Sequence, residues 1–218
     1  MDGFRIEGLT LHGGGPFDLH VERGECVGIS GPSGVGKTLF LRAAADLDPR
    51  DGRVTLDDED AASIPGHEWR RRVGLLPAES RWWADRVGNH FERIDARWLA
   101  QLGFGEETME WAVRRLSSGE RQRLALLRLL AVRPRVLLLD EPTANLDADN
   151  VGKVERILGE YRTMFAPPVL WVSHDPAQID RVADRRVRLE RDGFREDAAR
   201  NAGAQNTETK TGSIDPWT

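Results

Sequence analysis

Residues 25–30, Glu25-Cys26-Val27-Gly28-Ile29-Ser30, run straight into Gly31-Pro32-Ser33-Gly34-Val35-Gly36-Lys37-Thr38, and residues 39–45 continue as an apolar helical stretch. The middle segment fits G-x-x-x-x-G-K-[ST] in the context that gives the pattern meaning, between a buried strand and a helix. Glycines there let consecutive backbone N–H groups converge on phosphate oxygens, and the helix start adds positive potential. Gly31, Pro32, Ser33, Gly34, Val35, Gly36, Lys37 and Thr38 are therefore candidate phosphate-binding residues. Lys37 is expected at the β- and γ-phosphates, and the Thr38 hydroxyl on a bridging Mg²⁺. The loop by itself does not choose among kinases, GTPases and ATPases.

Working outward, residues 4–9 and 17–21 alternate apolar with polar side chains across His12-Gly13-Gly14-Gly15-Pro16, the pattern of an antiparallel hairpin. Turn formers at 48–52 precede a short strand marked by Val54 and Leu56, and residues 73–76 predict another. Between Trp82 and Val132 the pattern reads as helical, with Leu124, Leu127, Leu130 and Ala131 on one face. Residues 136–139 and 169–172 are continuous apolar runs, as expected of parallel strands covered on both sides. Strands alternating with helices imply an α/β fold with a mainly parallel sheet, an antiparallel N-terminal part and a short helical lobe, with ligands at the strands' carboxyl ends.

With 218 residues the chain has room for one sizeable core. A net charge of −5 offers no basic face of the kind that nucleic acid requires. The lysines are Lys37, Lys153 and Lys210, so the one in the glycine loop stands out against an arginine-rich background. Cys26 is the single cysteine, which rules out an internal disulfide, and inside a buried strand it is expected to pack as a small hydrophobe. No apolar run reaches membrane-spanning length, and the start has no signal-peptide core, so a membrane role is expected to come through a partner. Residues 196–218 are polar and poor in large apolar side chains and are expected to form a disordered tail, with Trp217 near its end.

Asp140 closes an apolar run, where a carboxylate can hold the metal's surroundings, and Glu141 beside it is placed to orient or deprotonate an attacking water. Leu116-Ser117-Ser118-Gly119-Glu120-Arg121-Gln122 contains a capping-box pattern, Ser117 with Glu120, that opens a helix. Taken with the glycine loop and the acidic pair, this stretch resembles the signature of ABC ATPases. Ala144-Asn145-Leu146-Asp147 then resembles the family's D-loop, and His174 in Trp171-Val172-Ser173-His174-Asp175 resembles its switch histidine. The order of these matches makes the chain similar to an ABC nucleotide-binding domain, a P-loop NTPase, over residues 1–195, with a helical lobe at about 82–132. The resemblance implies ATP and Mg²⁺ as cofactors, Glu141 and His174 as catalytic residues, and Asp140 with Thr38 at the metal. It further implies a homodimer on ATP binding, in which Ser117, Gly119 and Asp147 of one copy complete the site of the other. The remaining implication is a separate permease that holds the chain at the inner face of the cell membrane.

Two departures stand out. The family's glutamine after the strand at 73–76 is replaced by Ala78, and Glu79, one position later, is the candidate substitute at the metal. Ser118 stands where the signature carries glycine. The N-terminal hairpin has no tyrosine to stack on adenine; His12 and Phe17 are the positional candidates, Phe17 with a core-packing pattern. Trp82-Trp83, beside that altered loop, are candidates for docking the permease. A soluble ABC ATPase of DNA repair or translation is the alternative, disfavoured by the lack of a coiled-coil insertion, a second phosphate loop or a basic stripe. A small-molecule kinase is disfavoured by the signature and the histidine. A weaker resemblance, in residues 169–175, is to bacterial iron-export ATPase subunits.

Overall fold

The computed structural model describes residues 3–11 and 13–196. Two sheets form. Strands β1 (Gly3–Leu11), β2 (Gly14–Glu22), β4 (Asp51–Leu56) and β5 (Glu59–Asp60) make an antiparallel sheet in the order β2-β1-β4-β5. The second sheet contains β3 (Cys26–Ser30), β6 (Val73–Leu76), β7 (Val136–Asp140), β8 (Val169–Val172), β9 (Arg185–Glu190) and β10 (Gly193–Glu196), ordered β10-β9-β3-β8-β7-β6. It is parallel except for the β9–β10 hairpin. Glu196, placed in the tail by composition, is the last residue of β10. The rest of the expected tail, with Trp217, lies outside the described residues, as does His12.

Alternation along the central strands sorts their side chains into two cores. Val27, Ile29, Val136, Leu138, Leu170 and Val172 face a core shared with the antiparallel sheet and with helix α1 (Lys37–Ala44). Helix α2 (Gly66–Arg72) anchors there through Trp69, whose indole N–H donates to the carbonyl of Ala44 at 3.1 Å. Cys26, Leu137, Leu139, Val169 and Trp171 point the other way, into a core with α3 (Ala96–Gln101), α4 (Ser118–Ala131), α5 (Ala148–Phe165) and α6 (Pro176–Val182). Such two-sided burial is why these strands read as unbroken apolar runs. Cys26 packs as expected, and burial pushes its thiol up to about 12. Phe17 is also core, edge-on to Phe40 and Phe194, and so is not free to stack on a ligand.

The segment from Trp82 to Val132 carries less helix than its sequence predicts. Apart from α3 and α4 it consists of loops and short 3₁₀ turns at Val87–His90, Glu106–Glu110 and Val113–Arg115. Gly103, with φ of +85°, and the extended Gly105 interrupt the run. Its apolar residues Trp98, Leu99, Phe104 and Leu116 are irregularly spaced and pack into the same core as Leu76 and Leu139. On α4, Leu124, Leu127 and Leu130 are fully buried, whereas Ala131 sits at the edge of that face.

Candidate functional site

The strand order makes β3, β8 and β7 neighbours, so the loops leaving their carboxyl ends share one edge of the sheet. From β3 comes the glycine loop. Gly31 has φ of +148°, and a Cβ there would meet the Leu189 carbonyl oxygen at 2.7 Å, so only glycine lets the loop cross β9 this closely. Gly36, in the left-handed region, ends the loop and starts α1 without any side-chain cap. The first N–H groups of α1 accordingly have no partner within the helix. Pro32, Ser33 and Gly34 are exposed around this opening, and Val35 and Gly36 half-buried.

Lys37 folds back over the loop, its ammonium donating to the carbonyls of Gly31 at 2.8 Å and Pro32 at 3.1 Å. An ammonium has three donors, so one remains for a ligand. Burial lowers its pKa, and the carboxylates of Glu141 and Asp140 act against that shift. Thr38 Oγ donates to Asp140 Oδ2 at 2.7 Å, joining the loop to the end of β7. A threonine hydroxyl beside a buried carboxylate is the hard-oxygen pair that suits Mg²⁺. Thr38 and Asp140 are thus the residues of this chain that could hold it.

Glu141 leaves β7 with φ of +49°, a left-handed value uncommon outside glycine, and its N–H donates to the Val172 carbonyl at 3.1 Å. This turn carries the side chain toward the end of β8. Its Oε1 is buried with no hydrogen-bond partner and stands 3.4 Å from Nε2 of His174. Burial raises the Glu141 pKa, with His174 and Lys37 opposing and Asp140 adding to the rise. The side chain of His174 is 57% exposed, facing both the carboxylate and the open edge. A partly desolvated carboxylate beside an accessible histidine and a phosphate-type loop is an arrangement for moving a proton from water next to a phosphate. Behind His174, Ser30, Gly31 and Arg188 line a cavity of about 260 Å³.

The other candidates gather elsewhere. Ser117 caps α4, its Oγ accepting from the Glu120 N–H at 3.2 Å while Glu120 Oε2 accepts from the Ser117 N–H at 2.8 Å. Ser117 and Ser118 are both exposed, and Ser118 has no left-handed backbone, so serine replaces glycine there without strain. A Cβ on Gly119 would come within 3.1 Å of Leu146 Cδ2, so the start of α4 rests on residues 145–146 of its own chain. Asp147 caps α5, accepting from the Asn150 N–H at 2.8 Å, and Arg123 of α4 bonds Asn150 in turn. Among the described residues no hydrogen bond or ion pair links Ser117, Gly119 or Asp147 to the glycine loop. Glu79 is exposed after β6 and does not join Asp140 and Glu141 in a cluster, since no three His, Cys, Asp or Glu of the described residues are grouped to hold a metal.

Two buried glutamines had no role assigned from the sequence, Gln122 of the signature stretch and Gln178. Gln122 Nε2 donates to the Pro77 carbonyl at 3.3 Å, tying the signature helix to the segment beside Ala78. Gln178 donates to Thr143 Oγ at 2.9 Å and to Glu155 at 2.9 Å, tying the chain just after Glu141 to α5 and α6. For Gln122 a signal existed: it lies four residues before Leu126 and eight before Leu130, on the buried stripe of α4.

The profile of the family described as ABC transporter matches residues 15–144. An Fe(3+) ions import ATP-binding protein of Streptomyces coelicolor is 38% identical over 211 residues, covering 86% of this chain and 59% of that protein. A methionine import ATP-binding protein of Xanthomonas euvesicatoria is 33% identical over 204 residues, covering 85% and 59%. An aliphatic sulfonates import ATP-binding protein of Rhodococcus jostii is 35% identical over 182 residues, covering 82% and 66%. The chain thus spans 59% of the length of the first two. In fold it resembles an ATP binding subunit of an ABC transporter at a TM-score of 0.80 and 18% identity, covering 89% of this chain and 90% of that one. It likewise resembles a bacterial Atm1-family ABC exporter with ATP bound, at 0.78 and 21%, covering 89% and 38%.

Proposed function

Because this chain belongs to the ABC transporter family, we propose that it binds and hydrolyses ATP as a dimer and passes the resulting motion to a separate membrane permease. The observation that carries this reading is the buried, unpartnered Glu141 oxygen beside His174, on the strand edge that also holds Lys37, Thr38 and Asp140. The free amides at the start of α1 and the remaining donor of Lys37 hold the phosphates. Mg²⁺, held by Thr38 and Asp140, would offset charge on the β- and γ-phosphates. Glu141 takes a proton from the water that attacks the γ-phosphorus as the bond to the departing ADP breaks. His174 orients the γ-phosphate, and Glu79 stands near enough in sequence to the absent glutamine for its substitution by alanine to test a role at the metal. Unchanged turnover and Mg²⁺ dependence in Glu79→Ala would remove that role.

Dimerisation is supported by the separation of the two groups of residues within one chain. A serine-led helix start attracts anions but has no phosphate of its own chain beside it, so Ser117, Gly119 and Asp147 suit the nucleotide of a second copy. A mixing experiment tests this. Lys37→Ala and Ser117→Arg chains, each inactive alone, should together recover about a quarter of the parent rate, since half the pairs are mixed and each mixed pair keeps one intact site. No recovery means that each chain completes its own site, and the dimer reading is lost.

For the partner, no helix among the described residues is long and apolar enough to cross a membrane. The segment after β6 supports permease docking: Trp83 is 73% exposed there, while its neighbour Trp82 packs against the core. The relatives' names describe import, of three different cargoes, and lend nothing to the iron-export resemblance. Neither direction nor cargo is assigned. A nucleic-acid role has no supporting observation beside these relatives.

A further inference from the structure

On the face of the central sheet away from α1, a cavity of about 160 Å³ lies between α5, the end of α6 and strands β3, β7 and β8. It exceeds the roughly 30 Å³ that one water takes in the liquid. Leu137, Leu158, Val169 and Val182 give it an apolar wall. Two hydrogen-bond donors of residues at that wall are unused: Nε1 of Trp171 and Nε of Arg162 are both buried without a partner. Trp171 is only 2% exposed, so its indole N–H cannot turn to solvent instead. The rest of the Arg162 guanidinium is committed. Nη1 donates to the Val182 carbonyl at 3.2 Å, and Nη2 donates to the Gly24 carbonyl at 2.8 Å and to Asp184. Those bonds fix the guanidinium plane and with it the direction of the Nε–H.

The carboxylate at the wall is already engaged. Oε1 of Glu155 accepts from Gln178 and from Arg181, each at 2.9 Å, and Oε2 accepts from Arg181 at 3.3 Å. The Cys26 thiol, kept protonated by burial, adds one weak donor. A cavity whose donors are unused and whose carboxylate is engaged calls for an acceptor, because a buried donor left unmade costs its desolvation. Carboxylate oxygens are the strong acceptors for a guanidinium N–H, and they bring no hydrogen that needs an acceptor in return, as an amide would. The apolar wall calls for a short hydrocarbon tail on the same molecule. Access is from solvent: Gly159 and Arg181, which also line the cavity, are exposed.

We propose that this cavity is a binding site for a short-chain monocarboxylate, whose carboxylate accepts from Trp171 Nε1 and Arg162 Nε while its hydrocarbon tail lies against Leu137, Leu158 and Val169. The site is also tied to the strand edge. Glu155 shares the Gln178 amide with Thr143, to whose Oγ that amide donates at 2.9 Å, and Thr143 stands two residues after Glu141. Filling the cavity therefore bears on the segment that carries the catalytic acid. That last step rests on the proposed hydrolysis; the binding site does not.

To test it, the indole N–H resonances of the full chain, with Mg²⁺ and ADP present to fill the nucleotide site, are followed during titration with butyrate, with butyramide and with chloride. The Trp171 signal, identified by its loss in Trp171→Phe, should move saturably with butyrate, about tenfold or more tighter than with butyramide, and stay still with chloride. Calorimetry should show butyrate binding weakened about tenfold or more in Trp171→Phe and lost in Gly159→Leu. A Cβ at Gly159 meets no atom within 4 Å, and a helical leucine there leans toward Glu155 at the rim, so this variant folds and closes the opening. Equal affinity for acid and amide, the same response to chloride, or parent-like binding by either variant overturns the proposal. No saturable movement overturns it too, by leaving the donors to water. Saturating butyrate should change the parent's ATP hydrolysis about twofold or more and leave that of Gly159→Leu as it was. An unchanged parent rate removes the tie to Glu141 and keeps the binding site. A chain that binds butyrate as described but never hydrolyses ATP defeats the hydrolysis reading alone.

Discussion

The edge formed by β3, β8 and β7 and the start of α4 handle charge in opposite ways. At the strand edge, Asp140 and Lys37 are buried and hydrogen-bonded to the glycine loop, and Glu141 is mostly buried with its Oε1 unpartnered, 3.4 Å from His174. At the helix start, Ser117 and Ser118 face solvent, and the carboxylate hydrogen-bonded there is the chain's own Glu120. The first region pre-pays desolvation so that its groups act strongly on a bound phosphate. The second keeps its hydrogen bonds internally satisfied and, in the proposed dimer, meets the nucleotide of a second copy. The difference teaches that removing a group should cost turnover in the first region and assembly or stability in the second.

The largest effect that would break this contrast is in the strand edge. Glu141→Gln should lower phosphate release about 100-fold or more while leaving ATP binding intact; a parent-like rate would strip Glu141 of the role of base. The pH dependence sharpens the same point. A raised pKa means that Glu141 holds its proton to higher pH in the folded chain than in the unfolded one. Turnover should therefore fall, on acidification, at a pH above the ordinary glutamate value. The linkage has the matching sign: the folded state binds more protons, so the Glu141 contribution to stability worsens as pH rises through the interval between the unfolded and folded values. Melting temperatures of the parent and of Glu141→Gln should accordingly converge in acid and separate, with the variant more stable, at neutral pH.

In the second region Ser117→Ala removes a helix cap and should cost about 1 kcal/mol, read as a lower melting temperature. ATP affinity of the monomer should stay as it was, and a loss there would show that α4 belongs to the nucleotide site of its own chain. Gln122→Ala removes one buried hydrogen bond and should cost a similar amount, about 1 kcal/mol, without touching ATP binding. The smallest effect is expected from Ser118→Gly. At an exposed helix start the change should stay under about 1 kcal/mol and leave turnover as it is. A severalfold faster Ser118→Gly chain would instead mean that the serine obstructs what the helix receives.

Much of the strand edge was legible because local rules overlap there. The glycine spacing in residues 31–38, the apolar runs before Asp140 and Ser173, and the turn formers after them all point to the same strand, loop and helix succession. The region between Trp82 and α4 was not, because its residues are buried by a core they share with β7 and not by their own periodicity. Tertiary contacts there accept 3₁₀ turns and loops where a helical pattern was expected. The role of Gln122, whose burial the stripe of α4 signalled, and the burial of Gln178 were not legible for a related reason: a buried amide is informative only once its distant partners, Pro77 or Thr143 and Glu155, are known.

What the sequence determined by itself was bound to contiguous segments: which loop has the glycine spacing suited to phosphate, which strand runs into two successive acids, which serine starts a helix. Short-range backbone geometry dictates these, and it is written in neighbouring residues. Only the tertiary structure decided which of these segments meet. The neighbouring of β3, β8 and β7 sets Glu141 against His174, and the seating of α4 brings the Gln122 amide to the Pro77 carbonyl. Contacts of that kind depend on strand order and on burial summed over the whole chain, which no single stretch of residues specifies.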